Sequence, residues 1–335
     1  MDEVIRLAHG SGGQLTHALI REVFLPHFHN PALAALNDSA LLQLSGSRAA
    51  LTTDSYVVQP IFFPGGDIGR LAISGTVNDL SAQGARPVAI SAAFIIEEGL
   101  RVDELQRVLA SMAAAANEAG VAVVAGDTKV VAAGAADKLF ITTAGVGTLL
   151  VEEPPTGSGA RAGDAVIVTG TIGDHGMAVM AARAGLSLQG ALHSDVAPLN
   201  HLVEGLFACG VEVHAMRDPT RGGVATTLNE IAQASGVEIV IEEERIPVAD
   251  EVKGACELLG FDPLYVANEG KMIVFVPAAH AEQAISYFHS HPLGRKAAII
   301  GEVVKESQGR VLLRTAIGGH RILDMLVGEQ LPRIC

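Results

Sequence analysis

Residues 151–164 read VEEPPTGSGARAGD, a run of proline, glycine and polar residues through which neither a helix nor a central strand can continue. The break falls near the middle of a 335-residue chain, longer than one hydrophobic core normally serves. It therefore divides the chain into a first domain over 1–155 and a second over 156–322, with a tail over 323–335.

Both halves mix strand and helix signals. In the first, RAALTTDSYVVQP (48–60) reads as a strand with a polar middle. IGRLAISGTVNDLSAQGA (68–85) carries apolar residues at helical spacing, and PVAISAAFII (87–96) is the unbroken apolar run of a buried strand. Val102–Ala119 predicts an amphipathic helix with Leu105, Val108, Leu109 and Met112 on one face and Gly120 as its stop. VAVVAGDTKVV (121–131) predicts a strand running into a polar turn, and KLFITTAGVGTLL (138–150) another strand. In the second half, AVIVTGTIGDHG is a strand and glycine turn leading to a helix from about Met177, and RDPTRGGVATTLNEIAQASG is a turn feeding a helix. VEIVIEEERIPV, KMIVFVP and AAIIGEVV read as strands, with a helix over 278–290. The expected fold combines α/β and α+β domains, with mixed sheets packed by helices and a flexible C-terminal tail.

The apolar content comes from Ala, Val, Leu and Ile, and no run of eighteen uncharged apolar residues occurs, which argues against a membrane span. MDEVIRLAHGSGG lacks the apolar region of a signal peptide, so a cytoplasmic protein is expected. A net charge of −14 argues against sequence-independent nucleic-acid binding. It leaves nucleotides open, because a metal ion can carry the phosphate charge locally. The cysteines at 209, 256 and 335 form neither an even disulfide framework nor a metal knuckle. Cys209 and Cys256, among apolar neighbours, read as small core residues. Cys335 ends the chain in LPRIC, where packing offers no reason for a thiol. It is either a frayed end or a reactive group, and the neighbouring carboxylate should raise its pKa.

No G-x-x-x-x-G-K-[ST] loop is present, and GSGARA (157–162) follows prolines instead of a strand, so its likeness to a dinucleotide fingerprint is fortuitous. The chemical signal is instead a set of acids beside small residues: Asp38 in LNDSALL, Asp54 in TTDSYV, Asp79 in TVNDLSAQG, Asp127 in AGDTKV and Asp218 in RDPTRGG. Gathered at one end of a sheet, they could hold magnesium between themselves and phosphates; dispersed, each is ordinary turn or N-cap chemistry. Lys129 shares a strand face with Asp127. Arg221 precedes a Gly-Gly pair that could open a helix towards an anion. Glu269, in ANEGK, could serve as a general base or be a solvated loop acid. HGSGG (9–13) could fold over phosphates as a flap or be a plain leader. His289 and His291 read as a surface loop, and His175 in GDHG has no assigned role.

Taken in order, HGSGG, TTDSYV, FFPGGDIG, GTVNDL, GDTKV, GDHG, RDPTRGG, ANEGK and the final PRIC resemble the HypE family of hydrogenase maturation factors, over about residues 5–335. Several of these motifs are shared with aminoimidazole ribonucleotide synthetase, selenophosphate synthetase and thiamine-phosphate kinase; PRIC is not. The resemblance implies a homodimer paired through its first domain, with ATP held between the domains. It also implies a partner HypF that places a carbamoyl group on Cys335, ATP-dependent dehydration of that group to a thiocyanate, and transfer of cyanide to iron on a HypC–HypD complex. By the same resemblance Lys129 steadies charge on the carboxamide oxygen and Glu269 removes protons from its nitrogen. Asp54, Asp79 and Asp127, with Asp38 and Asp218, would form the magnesium and triphosphate cage, and Gly66 and Asp67 would help seat the nucleotide. Two other readings stay open: a related kinase or synthetase acting on a diffusible small molecule, and a non-catalytic carrier.

Overall fold

The computed structural model describes residues 7–10, 13–27, 34–44, 47–185, 192–326, 331 and 333–335. Ser11 and Gly12 of the expected flap lie outside the described residues. In the first half, β1 (Ala40–Leu44), β2 (Ser47–Tyr56), β5 (Ala85–Glu97), β6 (Ala122–Val131) and β7 (Leu139–Leu149) form a five-stranded sheet. Its order is β1-β2-β7-β5-β6, with β6 parallel to β5 and the other neighbours antiparallel. A short hairpin of β3 (Phe62–Phe63) and β4 (Gly66–Asp67) leads into α2 (Ile68–Ala82), and α1 (Gln14–Leu19) lies upstream.

α2 and α3 (Val102–Ala119) cover one face of that sheet. In α2 every residue but Arg70 and Asp79 is buried, because the helix is wedged between the sheet and the second half. Gly75 is required there, since a Cβ would strike the Tyr56 hydroxyl. α3 turns Val108, Met112, Ala115, Ala116 and Ala119 inward and ends at Gly120 in the left-handed region, φ 68°. Leu109, expected on that inner face, is 42 % exposed; the small alanines of the last turns set the contact instead. β6 also departs from expectation. GDTK does not turn but continues the strand, because Asp127–Lys129 pair with Ala93–Ile95 of β5.

The second half holds a seven-stranded sheet of β8 (Asp164–Val168), β9 (Ala215–Arg217), β10 (Val237–Glu242), β11 (Ile273–Pro277), β12 (Ala298–Glu306), β13 (Arg310–Arg314) and β14 (His320–Ile322). Its order is β14-β13-β10-β12-β8-β11-β9. The central strands β8 and β11 are apolar without alternation because both their faces are covered. Val166, Val168, Ile273 and Phe275 pack with α6 (Gly223–Ser235). Ile167, Val274 and Val276 pack with α5 (Asn200–Ala208) and α8 (Ala278–Ser290). α4 (Asp174–Arg183) and α7 (Asp250–Leu259) close a smaller cluster around Met177 and Cys256. α4 begins three residues before the expected Met177, as Gly173 takes the left-handed N-cap and places Asp174 in the first turn, where the helix dipole favours an acid. Cys209 is exposed, contrary to expectation, because it caps the end of α5 while Leu206 supplies the buried contact. Among the described residues no helix is long and apolar enough to cross a membrane.

Candidate active site

Six acids line one cavity of about 600 Å³, and five of them come from the stretches singled out in the sequence. Asp38 precedes β1, Asp54 lies on β2, Asp79 in the last turn of α2, Asp218 between β9 and α6, and Glu269 just before β11. Sheet register and helix packing thus gather residues that are far apart in sequence. Burial is the largest cause of a raised pKa for all five. Repulsion between neighbouring carboxylates adds to it for Asp38, Asp79, Asp218 and Glu269, and the Asp218 carboxyl is pushed up to about 8. Protein donors answer only part of this charge. The Thr52 hydroxyl donates to Asp79 (2.7 Å) and the Tyr56 hydroxyl to Asp54 (3.1 Å). Asp38 Oδ2 and Glu269 Oε1 are buried without a hydrogen-bond partner among the described residues.

That arrangement sets a pH dependence. Asp218 holds its proton to about pH 8 when folded but only to about pH 4 when unfolded. The folded state therefore binds more protons over that interval, and its stability falls as pH rises through it. Asp218→Asn is expected to reduce this slope, to which the other raised acids also contribute, and to raise the thermal midpoint of the ligand-free protein by roughly 2–4 °C for each kcal/mol relieved, measured by calorimetry from pH 5 to 8.

Cys335 lines the same cavity. It is half-buried, and burial pushes its thiol up to about 12, with Glu269, Asp54 and Asp218 adding and Arg221 opposing. The rise has the expected direction, but its main cause is burial. For Arg221, Cys335 is in turn the largest influence raising its pKa. The arm thus lies docked: the Val57 amide donates to the Cys335 carbonyl (3.0 Å) and Ile334 is buried.

Glu269 is fixed through its backbone by both halves of the molecule. Its amide donates to Asp195 Oδ1 (3.2 Å) and its carbonyl accepts from Asn78 Nδ2 of α2 (3.1 Å). Asp195 is buried, which would raise its pKa, but the Lys271 ammonium at 3.1 Å draws it below the ordinary carboxylate range. The side chain of Glu269 is thereby left free to face the cavity.

The remaining expected site residues lie elsewhere within one chain. Asp67 accepts from the Gly69 and Arg70 amides (2.7 and 3.1 Å) as the N-cap of α2, which is the ordinary role of such an aspartate, and Gly66 packs against Val196 and Phe63. Asp127 and Lys129 form an exposed ion pair, Nζ to Oδ2 3.4 Å, on the sheet face away from the helices. They sit three strands from Asp54, about 14 Å at the usual strand spacing. Arg217, Glu230 and His17 are cavity residues that sequence reasoning missed. Arg217 binds Asp38 (2.7 Å) and Glu230 (2.8 Å), and His17 of α1 binds Glu230 (2.6 Å). Glu230 was the available signal: an acid set between buried Asn229 and Ile231 in a largely buried helix.

Known proteins share this architecture. Residues 36–149 match the AIR synthase related protein N-terminal domain, and residues 161–314 the corresponding C-terminal domain. The chain is 51 % identical to the carbamoyl dehydratase HypE of Rhodobacter capsulatus, over all of this chain and 99 % of that one. A crystal structure of the hydrogenase maturation protein HypE in complex with ATP superposes with a TM-score of 0.84 at 52 % identity, covering 98 % of each chain. A HypE–HypF complex gives a TM-score of 0.87 at 51 % identity, covering 92 % of this chain and all of that one. With its two AIR synthase related domains and half its residues shared along its whole length, the chain belongs to the HypE family.

Proposed function

We propose that this chain is an ATP-dependent carbamoyl dehydratase that converts an S-carbamoyl group on its own Cys335 to a thiocyanate. The product would be the cyanide source for the iron of [NiFe]-hydrogenase. The observation that carries this reading is that Cys335 shares one cavity with Asp54, Asp79, Asp218, Arg221 and Glu269. Support comes from the relative named carbamoyl dehydratase, from the HypE that binds ATP and from the HypE paired with HypF.

The chemistry follows from the leaving group. An amide oxygen does not depart from carbon unaided, so it must first become a phosphate. The carbamoyl oxygen attacks the γ-phosphorus, ADP leaves, and one N–H proton is lost as the C=N bond forms. The C–O bond then breaks, phosphate departs, and loss of the second N–H proton completes C≡N. ATP and thiocarbamate thus become ADP, phosphate and thiocyanate, with no change of oxidation state. Glu269 suits the proton transfers: it is positioned by its clamped backbone, its Oε1 has no partner, and burial raises its pKa well above an ordinary glutamate. Phosphoryl transfer itself is mainly positioning and charge stabilisation.

The acids fit a magnesium ion. Asp38 Oδ2 is a buried oxygen without a partner, and Asp54, Asp79 and Asp218 repel or crowd one another. A bound magnesium ion would neutralise these carboxylates and the phosphate oxygens. Among the described residues no three acidic, histidine or cysteine groups converge closely enough to hold a metal unaided, so phosphate oxygens would complete the shell. Incubation with ATP, carbamoyl phosphate and HypF, followed by intact mass spectrometry, tests the reaction. A carbamoyl mass gain followed by loss of one water is expected, and a gain that never loses water would refute dehydration. Loading by HypF in the cytoplasm requires the docked arm to leave, and delivery to HypC–HypD requires it again.

A second copy of the chain completes the site in this reading. The open sheet face exposes Leu51, Ile95 and Val146, and β6 is an exposed edge strand. Such an edge invites pairing with another chain. A two-fold pair would cover it and carry Asp127 and Lys129 across to the other copy's cavity. Mixing Lys129→Ala with Glu269→Gln protein is then expected to restore about a quarter of wild-type turnover, since half the dimers are mixed and each has one intact site. No recovery would place Lys129 outside the shared site.

A further inference from the structure

His175 has no part in the chemistry above, yet it is fully buried in the first turn of α4 and touches the arm. Its Nε2 lies 2.7 Å from the carbonyl oxygen of Ile334, and its Nδ1 lies 2.8 Å from Ser194 Oγ. A carbonyl can only accept, so Nε2 carries the proton. Nδ1 then accepts from the Ser194 hydroxyl, whose oxygen in turn accepts from the Val196 amide (3.1 Å). The ring edge is set by Phe63, 5.3 Å away and perpendicular. Ring, serine and phenyl group thus aim a single N–H at one atom of the tail.

The geometry of the tail explains why that atom needs a donor. Arg333 and Cys335 turn their carbonyls towards residues 57–59, where the Gln59 and Val57 amides donate to them (3.2 and 3.0 Å). The intervening Ile334 carbonyl points instead to His175. Ile334 is only 3 % exposed, so without His175 its oxygen would be buried unpaired. Arg183 of the same helix also donates to the Arg333 carbonyl, 2.8 Å.

We propose that His175 is a positioning residue for the arm: by donating to the Ile334 carbonyl it holds Cys335 in the cavity, favouring the dehydrating state over the state open to carbamoyl loading. The two steps should therefore respond oppositely when it is lost. Only the reaction arm of the test rests on the function proposed above.

Cys335 alkylation by iodoacetamide, followed by peptide mass spectrometry with the exposed Cys209 as internal reference, reads docking directly. His175→Leu is expected to speed Cys335 alkylation about tenfold, the size of one buried hydrogen bond. His175→Gln, which can still donate, should stay within about threefold of wild type. Ser194→Ala keeps the ring and loosens its aim, and should lie between them; it stands in for His175→Leu if that variant does not fold. Single-turnover dehydration of preloaded protein should slow about tenfold in His175→Leu, while loading by HypF is unchanged or faster. Equal alkylation in the leucine, Ser194→Ala and wild-type proteins overturns the proposal, as does a glutamine variant no better than leucine, or loading and dehydration that fall together. If alkylation responds as expected but wild type forms no thiocyanate, the reaction fails and the latch stands.

Discussion

Cys335→Ala is expected to abolish thiocyanate formation completely while leaving the fold and nucleotide binding in place. The side chain is half-buried at the chain's end, so its loss removes little packing. Its chemical loss is total, because no other thiol lines the cavity among the described residues. A small thiocarbamate supplied in solution should not substitute well, since a tethered group reaches an effective concentration in the millimolar range without being bound separately. Intact mass spectrometry after incubation with HypF, carbamoyl phosphate and ATP checks both halves of the expectation. Cyanide still reaching iron from the alanine variant would dismiss the arm as the carrier and favour a diffusible substrate.

Glu269→Gln is expected to accept the carbamoyl group normally and then stall, with dehydration slowed about 10²–10⁴-fold. The change is isosteric, and the bonds that position this residue run through its backbone to Asp195 and Asn78, so the geometry should survive. Replacing a buried carboxyl group, whose Oε1 has no partner among the described residues, by an amide also removes a charge that burial disfavours, so thermal stability should not fall. Accumulation of the carbamoylated species is the diagnostic result. Normal water loss would remove Glu269 from the proton transfers and leave Tyr56 or Asp54, which line the same cavity, to test.

What could be read from the sequence follows physical lines. Val102–Ala119 was legible because its apolar spacing and terminal glycine are local signals, and β8 and β11 because strands covered on both faces must be apolar throughout. α5, α7, β13 and β14 were not read, since short elements carry too few repeats to show a period. Acids beside small residues pointed to Asp38, Asp54, Asp79, Asp218 and Glu269, which the structure gathers in one cavity. The resemblance, not this pattern, singled out Asp67, which caps α2 through its side chain. Asp127 and Lys129 cannot be judged from one chain, since their surroundings depend on what covers β6. Arg217 and Glu230 became meaningful only when folding set them beside Asp38 and His17.

The double clamp on Glu269 bears on how such a chain can change over time. Because Asn78 grips its carbonyl from one lobe while Asp195 and Lys271 secure it from the other, the lobes are not interchangeable modules. A hybrid splicing the front of one relative to the back of another would keep two sound cores and still misplace Glu269, unless those four side chains were inherited together.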